Sequence, residues 1–336
     1  MKSKKIIVVG ATGRVGQEIL LILSEENVPQ NNISIAASSR SEGIELSVGG
    51  YKNLRVQSLE KVDFSKYDIA LFSAGSEVSK QYVPKASKAG CIAIDNTSYF
   101  RMDKDIPLII PEVNFEDIKK YKSKKIISNP NCSTIQMVMA LKPLHDIYGL
   151  REIIVSTYQS TSGAGQKGID EILSQTKQFL NSEPITPAHF KKQIVFNIIP
   201  QIDAFTDSLY TKEELKMMNE TKKILAIENM DIAATCVRVP VLIGHAASVF
   251  AKFEKETNLL DAIEALNNFE GVKVVDNPAN DDYSTPIDCE HKNEVFVSRI
   301  RKHPTIINAL NFWSVADNLR KGAALNAVQI AKRICE

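Results

Sequence analysis

Cys132 lies in the segment Ser128-Asn129-Pro130-Asn131-Cys132-Ser133-Thr134, where an apolar run ends, a polar turn with proline follows, and a helical pattern begins just after the cysteine. A thiol at a helix start has its thiolate favoured by the helix dipole and by main-chain N–H groups without helical partners, which is the setting of a nucleophile. The other four cysteines lack that setting: Cys91 and Cys236 fall in apolar strand patterns, and Cys289 and Cys335 have no activating neighbours. A nucleophile also needs a proton-transfer partner. Among five histidines, His245 follows Gly244 at a break between two apolar runs, from which its ring can emerge exposed at a strand edge. His145 falls inside a helical pattern, and His189, His291 and His303 fall in charged, loop-like stretches. No histidine or cysteine spacing makes a metal-ligand set, so no metal is expected.

A second chemistry is written near the start of the chain. Gly10-Ala11-Thr12-Gly13-Arg14-Val15-Gly16 follows an apolar run and opens a helical pattern. Glycines there let main-chain N–H groups approach a phosphate at the helix N-terminus, as in dinucleotide sites. The next strand pattern ends in Ser38-Ser39-Arg40 without the acidic residue that would bind a free ribose 2′-hydroxyl. Arginine flanked by two hydroxyls suits a 2′-phosphate, which points to NADP. Ser73-Ala74-Gly75 ends a further strand pattern, where such folds leave a crevice for the cofactor, and Asn96, after the next pattern, is grouped with these residues. The turn Tyr158-Gln159-Ser160-Thr161-Ser162-Gly163-Ala164-Gly165 is small, polar and glycine-rich. It suits either close approach of a ligand, through Ser162 and Gly163, or a helix cap.

The elements that must hold these residues fall into two sets. Strand patterns at 5–9, 33–37, 67–73, 91–95, 107–110 and 125–128 are continuously apolar, as in parallel strands buried on both faces. Helical patterns such as 76–90 separate them, which predicts an α/β Rossmann-like doubly wound sheet. A helix over 133–147, interrupted by Pro143, leads to longer strand patterns at 152–160, 192–199, 231–241, 246–254, 272–275, 294–300 and 306–315. Helices at 164–180, 211–227 and 258–268 intervene, predicting a second α+β domain with a mixed sheet covered on one face. Thr211 and Glu214 have the spacing of a capping box. The last helix, 316–334, returns to the first domain. The expected division is 1–130 with 316–336 for the cofactor, and 131–315 for catalysis and dimerisation.

Composition narrows the class. At roughly 150 residues per domain, 336 residues make about two domains. Hydrophobic residues at 44% and charged residues at 24% suit a globular core, and a net charge of +1 leaves no basic field for nucleic acid or an anionic membrane. No stretch approaches the ~18 apolar residues of a membrane span. The five cysteines form no C-x-x-C pair, which favours a cytoplasmic protein with reduced thiols.

SNPNCST, YQSTSGAG and RVPVLIGHAASV, together with GATGRVG at the start and NETKKIL at 219–225, resemble the bacterial aspartate-semialdehyde dehydrogenases over nearly the whole chain, in order. The resemblance implies NADPH-dependent reduction of L-aspartyl-4-phosphate to L-aspartate 4-semialdehyde, with release of phosphate, in the biosynthesis of lysine, threonine, methionine and diaminopimelate. It assigns Cys132 as nucleophile, Gln159 as the residue that orients the acyl intermediate, and His245 as acid/base. Arg238 then binds the substrate α-carboxylate, Glu220 its amine, and Arg101, Asn131 and Lys223 the phosphate. A homodimer is implied. The alternatives are another acyl-phosphate or acyl-CoA reductase on the same scaffold, or a non-catalytic NADP-binding paralogue.

Overall fold

Five short runs with no exposed side chain, beginning with Ile6–Val9, are strands buried on both faces. The computed structural model describes residues 1–336 and divides into two units: Met1–Asn131 with Ala323–Glu336, and Cys132–Gly322. In the first unit, strands β1 (Ile6–Val9), β2 (Ile33–Ala37), β3 (Glu45–Val48), β4 (Tyr51–Ser58), β5 (Ile69–Phe72), β6 (Ile92–Asp95) and β7 (Ile126–Ser128) form one sheet in the order β3-β4-β2-β1-β5-β6-β7. Every pairing is parallel except the β3–β4 hairpin. That hairpin, turning at Gly49-Gly50, was not legible in the apolar runs, because both of its strands interleave exposed residues with buried or half-buried ones. Helices α1 (Arg14–Glu25) and α2 (Ser76–Lys88) are crossovers, and α3 (Pro111–Asn114) and α4 (Tyr121–Lys124) are single turns.

The expected strand at 107–110 is not one. Only Leu108 makes a bridge, to Ser128, and Asn114 takes the main chain instead, donating to Leu108 O and accepting from Ile110 N, both at 2.9 Å.

The second unit opens with α5 (Cys132–Tyr148), which runs through Pro143 without a break and starts at Cys132 itself. Pro143 removes one helical hydrogen bond, but burial of twelve of the seventeen side chains holds the helix through it. Strands β8 (Leu150–Gln159), β9 (Asp231–Arg238), β10 (His245–Phe253), β11 (Val272–Val274), β14 (Val295–Lys302) and β15 (Ala309–Ala316) make a mixed sheet in the order β11-β14-β15-β10-β8-β9. A two-residue pair, β12 (Asp276–Asn277) with β13 (Asp282–Tyr283), stands apart. Helices α6 (Gln166–Leu180), α7 (Lys212–Leu225), α8 (Leu259–Asn267) and the one-turn α9 (Pro286–Cys289) complete the unit. The strand expected at 192–199 is irregular chain: Gln175 Oε1 of α6 accepts from the N–H groups of Ile194 and Val195, so side chains satisfy this backbone in place of a neighbouring strand.

The final helix is shorter than the sequence predicts. A π-helical turn, Arg320–Ala324, precedes α10 (Leu325–Ile334), which packs on α1 and α3 in the first unit.

Candidate active site

Register brings three of the expected residues into one row. β9 runs parallel to β8 with Arg238 opposite Gln159. β10 runs antiparallel with Ala246 opposite Tyr158, so His245 stands beside Gln159 on the other side. Side chains alternate between sheet faces, and these three share the inner face, against which α5 packs; Gln159 and His245 are each 1% exposed. One turn after Cys132, Gln136 Nε2 donates to the main-chain oxygen of Ser314 at 2.9 Å and pins the start of α5 to β15. The π-helical turn comes in against Cys132: a Cβ on Gly322 would stand 2.8 Å from the Cys132 Cβ, so only glycine fits there. Cys132 is half-buried and not in a disulfide.

The side chains in the row are held from behind. Gln159 Oε1 accepts from Thr157 Oγ1 at 3.0 Å, and its Nε2 donates to Glu213 Oε1 at 3.1 Å. Glu213 also pairs with Lys216, which reaches Asp203. The capping box expected at Thr211 and Glu214 is present, and Glu214 Oε1 accepts from Cys236 N, tying α7 to β9. Burial pushes the Arg238 guanidinium below its ordinary value, and the charges of Glu213, Cys132 and Cys236 oppose that shift. Arg238 Nη1 donates to Ser160 O at 2.6 Å.

His245 is buried, not exposed at a strand edge as the glycine break suggested. Its Nδ1 accepts the Ser160 N–H at 3.0 Å, while Nε2 has no hydrogen-bond partner. Desolvation first, and the Arg238 charge second, lower its pKa to about 3. A Cβ on Gly163 would lie 2.9 Å from Arg238 Nη1 and 3.1 Å from His245 Nε2. Gly163 therefore packs directly against both groups, where a side chain would displace them. Ser162 donates to Asn318 Oδ1 at 3.1 Å, and that oxygen also accepts from Ser160 Oγ and Gly244 N. Glu220 is buried on α7 with Lys223 half-buried one turn on.

Sequence reasoning missed Glu213, Ser160 and Asn318. The one available signal was the seven-residue spacing of Glu213 and Glu220, two helical turns that set both carboxylates on the buried face of α7.

In the first unit the glycine turn follows β1 as expected. Gly10 has φ +87°, and a Cβ on Gly16 would stand 2.3 Å from Gly10 O. Gly13 is the N-cap of α1, with Thr12, Arg14 and Val15 around it. Ser38, Ser39 and Arg40 form an exposed turn after β2. Ser73 and Gly75 lie between β5 and α2. Asn96 donates from Nδ2 to Phe72 O at 3.0 Å, and its buried Oδ1 has no partner. Tight main-chain approach at a helix N-terminus, with an unsatisfied acceptor at the same end of the sheet, fits a dinucleotide. Arg101, also in this unit, donates to the carbonyls of Asn129 (2.9 Å) and Asn96 (2.8 Å), and Asn131 is buried at the end of the segment. Asp95 holds this loop by accepting from Ser79 Oγ, Thr97 N and Thr97 Oγ1. Ser162 and Gly163 belong to the second unit.

Residues 5–121 match the family "Semialdehyde dehydrogenase, NAD binding domain" and residues 141–321 match "Semialdehyde dehydrogenase, dimerisation domain". An aspartate-semialdehyde dehydrogenase of Aquifex aeolicus is 50% identical over 98% of this chain and 97% of its own length. The chain belongs to the aspartate-semialdehyde dehydrogenase family. The Bacillus subtilis member is 46% identical over 98% of this chain and 96% of its own. The structure of Vibrio cholerae aspartate semialdehyde dehydrogenase II complexed with ASA superposes with a TM-score of 0.95 at 45% identity, covering 99% of this chain and 98% of that one. That of the Candida albicans enzyme with NADP gives 0.77 at 26% identity, covering 99% and 98%. Membership makes this chain an oxidoreductase of aspartate-family amino-acid biosynthesis with a nicotinamide-binding Rossmann domain. No helix is long and apolar enough to cross a membrane.

Proposed function

We propose that the chain reduces L-aspartyl-4-phosphate to L-aspartate 4-semialdehyde, releasing phosphate, through a thioester at Cys132. The arrangement that supports this reading is the buried row of Arg238, Gln159 and His245 beneath the start of α5, with Gly163 packed closely against Arg238 and His245. The Cys132 thiolate attacks the acyl carbon and phosphate departs. Gln159, its amide held by Thr157 and Glu213, orients the acyl group. The Arg238 guanidinium holds the α-carboxylate, a planar match that a lysine lacks. Glu220 takes the ammonium, and Arg101, Asn131 and Lys223 take the phosphate. His245 is the acid/base, handling the proton as the tetrahedral thiohemiacetal collapses.

NADP is the cofactor of this reading, and its reduced nicotinamide supplies hydride to the thioester carbon. Gly10, Thr12, Gly13, Arg14, Val15 and Gly16 hold the pyrophosphate, and Ser38, Ser39 and Arg40 read the 2′-phosphate. Ser73, Gly75, Asn96, Ser162 and Gly163 bind the remainder. The protein works in the cytoplasm as a homodimer, supporting lysine, threonine, methionine and diaminopimelate synthesis. The outward face of the second sheet, where Ile154 and Tyr158 are exposed and Tyr158 meets Trp313 at 5.4 Å, suits a second copy.

The deciding assay runs in the phosphorolytic direction: aspartate semialdehyde, phosphate and NADP, following NADPH absorbance. Phosphate-dependent NADPH formation is expected. Folded protein that forms none removes the reading. Sedimentation gives the oligomeric state.

A further inference from the structure

Arg238 leans on a segment with no regular structure of its own. Between α6 and α7, residues 181–211 contain no helix or strand. Loops of that length are uncommon in compact domains and are usually functional. Two buried side chains of α6 anchor this one. Glu171, 6% exposed, accepts three consecutive main-chain N–H groups: Ala188 N at Oε1 (3.0 Å), and both His189 N and Phe190 N at Oε2, the latter at 3.0 Å. Gln175 Nε2 donates to the same Oε1 at 2.8 Å, and Gln175 Oε1 accepts from Ile194 N and Val195 N. Three successive N–H groups converge on one carboxylate only if the chain turns around it, so Glu171 fixes where Phe190 leaves the turn. The Phe190 ring packs with Ile172, Ile194 and Ile199, and against Gly168, where a Cβ would stand 3.3 Å from Phe190 Cζ. The Arg238 guanidinium carbon lies over this ring, 6.0 Å from its centroid, at the reach of a cation–π contact. Further along the segment, Ile199 exchanges both main-chain hydrogen bonds with Arg238, at 2.9 and 2.8 Å.

We propose that Glu171 is a positioning residue for Arg238: its carboxylate holds the turn at 188–190, the turn holds the Phe190 ring, and the ring holds the guanidinium ready for the substrate α-carboxylate. This rests on the reading of Arg238 given above and deepens it. Ala188, His189, Lys191 and Lys192 are exposed, so the turn has solvent around it and the buried carboxylate beneath it. Bidentate recognition of a carboxylate needs the guanidinium plane fixed before the substrate arrives. An aromatic face fixes that plane without occupying any of its N–H donors. Glutamine at 171 cannot replace the carboxylate. Each oxygen accepts a main-chain N–H, and either orientation of the amide sets its NH₂ against one of them. The role is one of substrate affinity, because Arg238 meets the carboxylate end and not the reacting carbon.

The test compares Glu171→Gln, Phe190→Leu and the double variant in the phosphorolytic assay. Each single variant should raise KM for aspartate semialdehyde about tenfold, with kcat within about threefold and KM for phosphate and NADP within about twofold. The double variant should lie within about twofold of the more affected single one, because both substitutions act on one contact. Equal changes in all three KM values, a fall in kcat alone, or single effects that multiply in the double variant overturns the proposal. Arg238 is also read without turnover, by the rate at which phenylglyoxal modifies it in the unliganded protein, mapped by mass spectrometry. That rate should rise about fivefold or more in both single variants, while Arg320, equally buried in the same unit, keeps its wild-type rate. An unchanged Arg238 rate, or a parallel rise at Arg320, overturns the proposal. Should Glu171→Gln misfold, Glu171→Asp, which keeps the charge but withdraws it by one methylene, is measured in its place against the same outcomes. A wild type inactive in the assay removes the functional reading, and the modification rates still decide whether Glu171 and Phe190 hold Arg238.

Discussion

At the end of β1 the proposed cofactor site is built from main chain. A side chain is barred at Gly10 and Gly16, and Ser38, Ser39 and Arg40 lie in an exposed turn after β2. At the ends of β8 and β9 the proposed substrate site is built from side chains instead: Gln159, Arg238 and His245 are buried, and each has at least one atom committed to a neighbour. The first arrangement tolerates water and binds by shape and helix dipole, which suits a cofactor that comes and goes. The second excludes water, which strengthens each electrostatic contact and suits bond making.

Five measurements break or sharpen this contrast. Cys132→Ser should fold as the wild type does by circular dichroism yet lose turnover by roughly 10³-fold or more, about 4 kcal/mol at the transition state. Retained turnover would mean the chemistry lies elsewhere. Gly163→Ala places a Cβ 2.9 Å from Arg238 Nη1, and moving that guanidinium by about 1 Å costs about 10²-fold in kcat/KM. An unchanged kcat/KM would show that this site is as forgiving as the exposed one.

Arg40→Ala removes a contact to a charged group worth about 1.5–3 kcal/mol, so NADPH binding should weaken roughly 10- to 150-fold while NADH use barely changes. The difference should shrink as salt rises, because the arginine is exposed. Equal loss with both cofactors makes Arg40 structural. Glu213→Gln keeps the shape behind Gln159 but removes a charge, and kcat should fall about fivefold to tenfold with substrate KM nearly constant. A KM change alone would make Glu213 a binding group.

The last measurement concerns acid stability. His245 has a folded pKa of about 3 against an ordinary 6.5. Between those values the unfolded chain binds a proton that the folded chain does not. The contribution is therefore full above pH 6.5 and is lost as pH falls toward 3, by at most about 1.4 kcal/mol per pH unit. The Tm of the wild type should accordingly fall more steeply with acid than that of His245→Asn. Parallel slopes would mean that the ring is hydrated in the folded protein.

The residues legible in the sequence are those whose setting is local. Glycines between an apolar run and a helix, a cysteine at a helix start, and a capping box each depend on fewer than ten neighbouring residues, and each appears at Gly10–Gly16, Cys132 and Thr211–Glu214. Apolar runs likewise announce parallel strands, because burial on both faces leaves a continuous hydrophobic signature. Tertiary structure alone decided the rest. Arg238, Gln159 and His245 form a row because strands about 80 residues apart in the chain pair in one register, and a shift of one residue would turn these side chains to the other face. The same pairing buries His245, presents it to the Ser160 N–H and brings Asn318 across to Gly244. A glycine break shows where a ring can leave a strand. Whether that ring meets water or a main-chain donor depends on what packs against it.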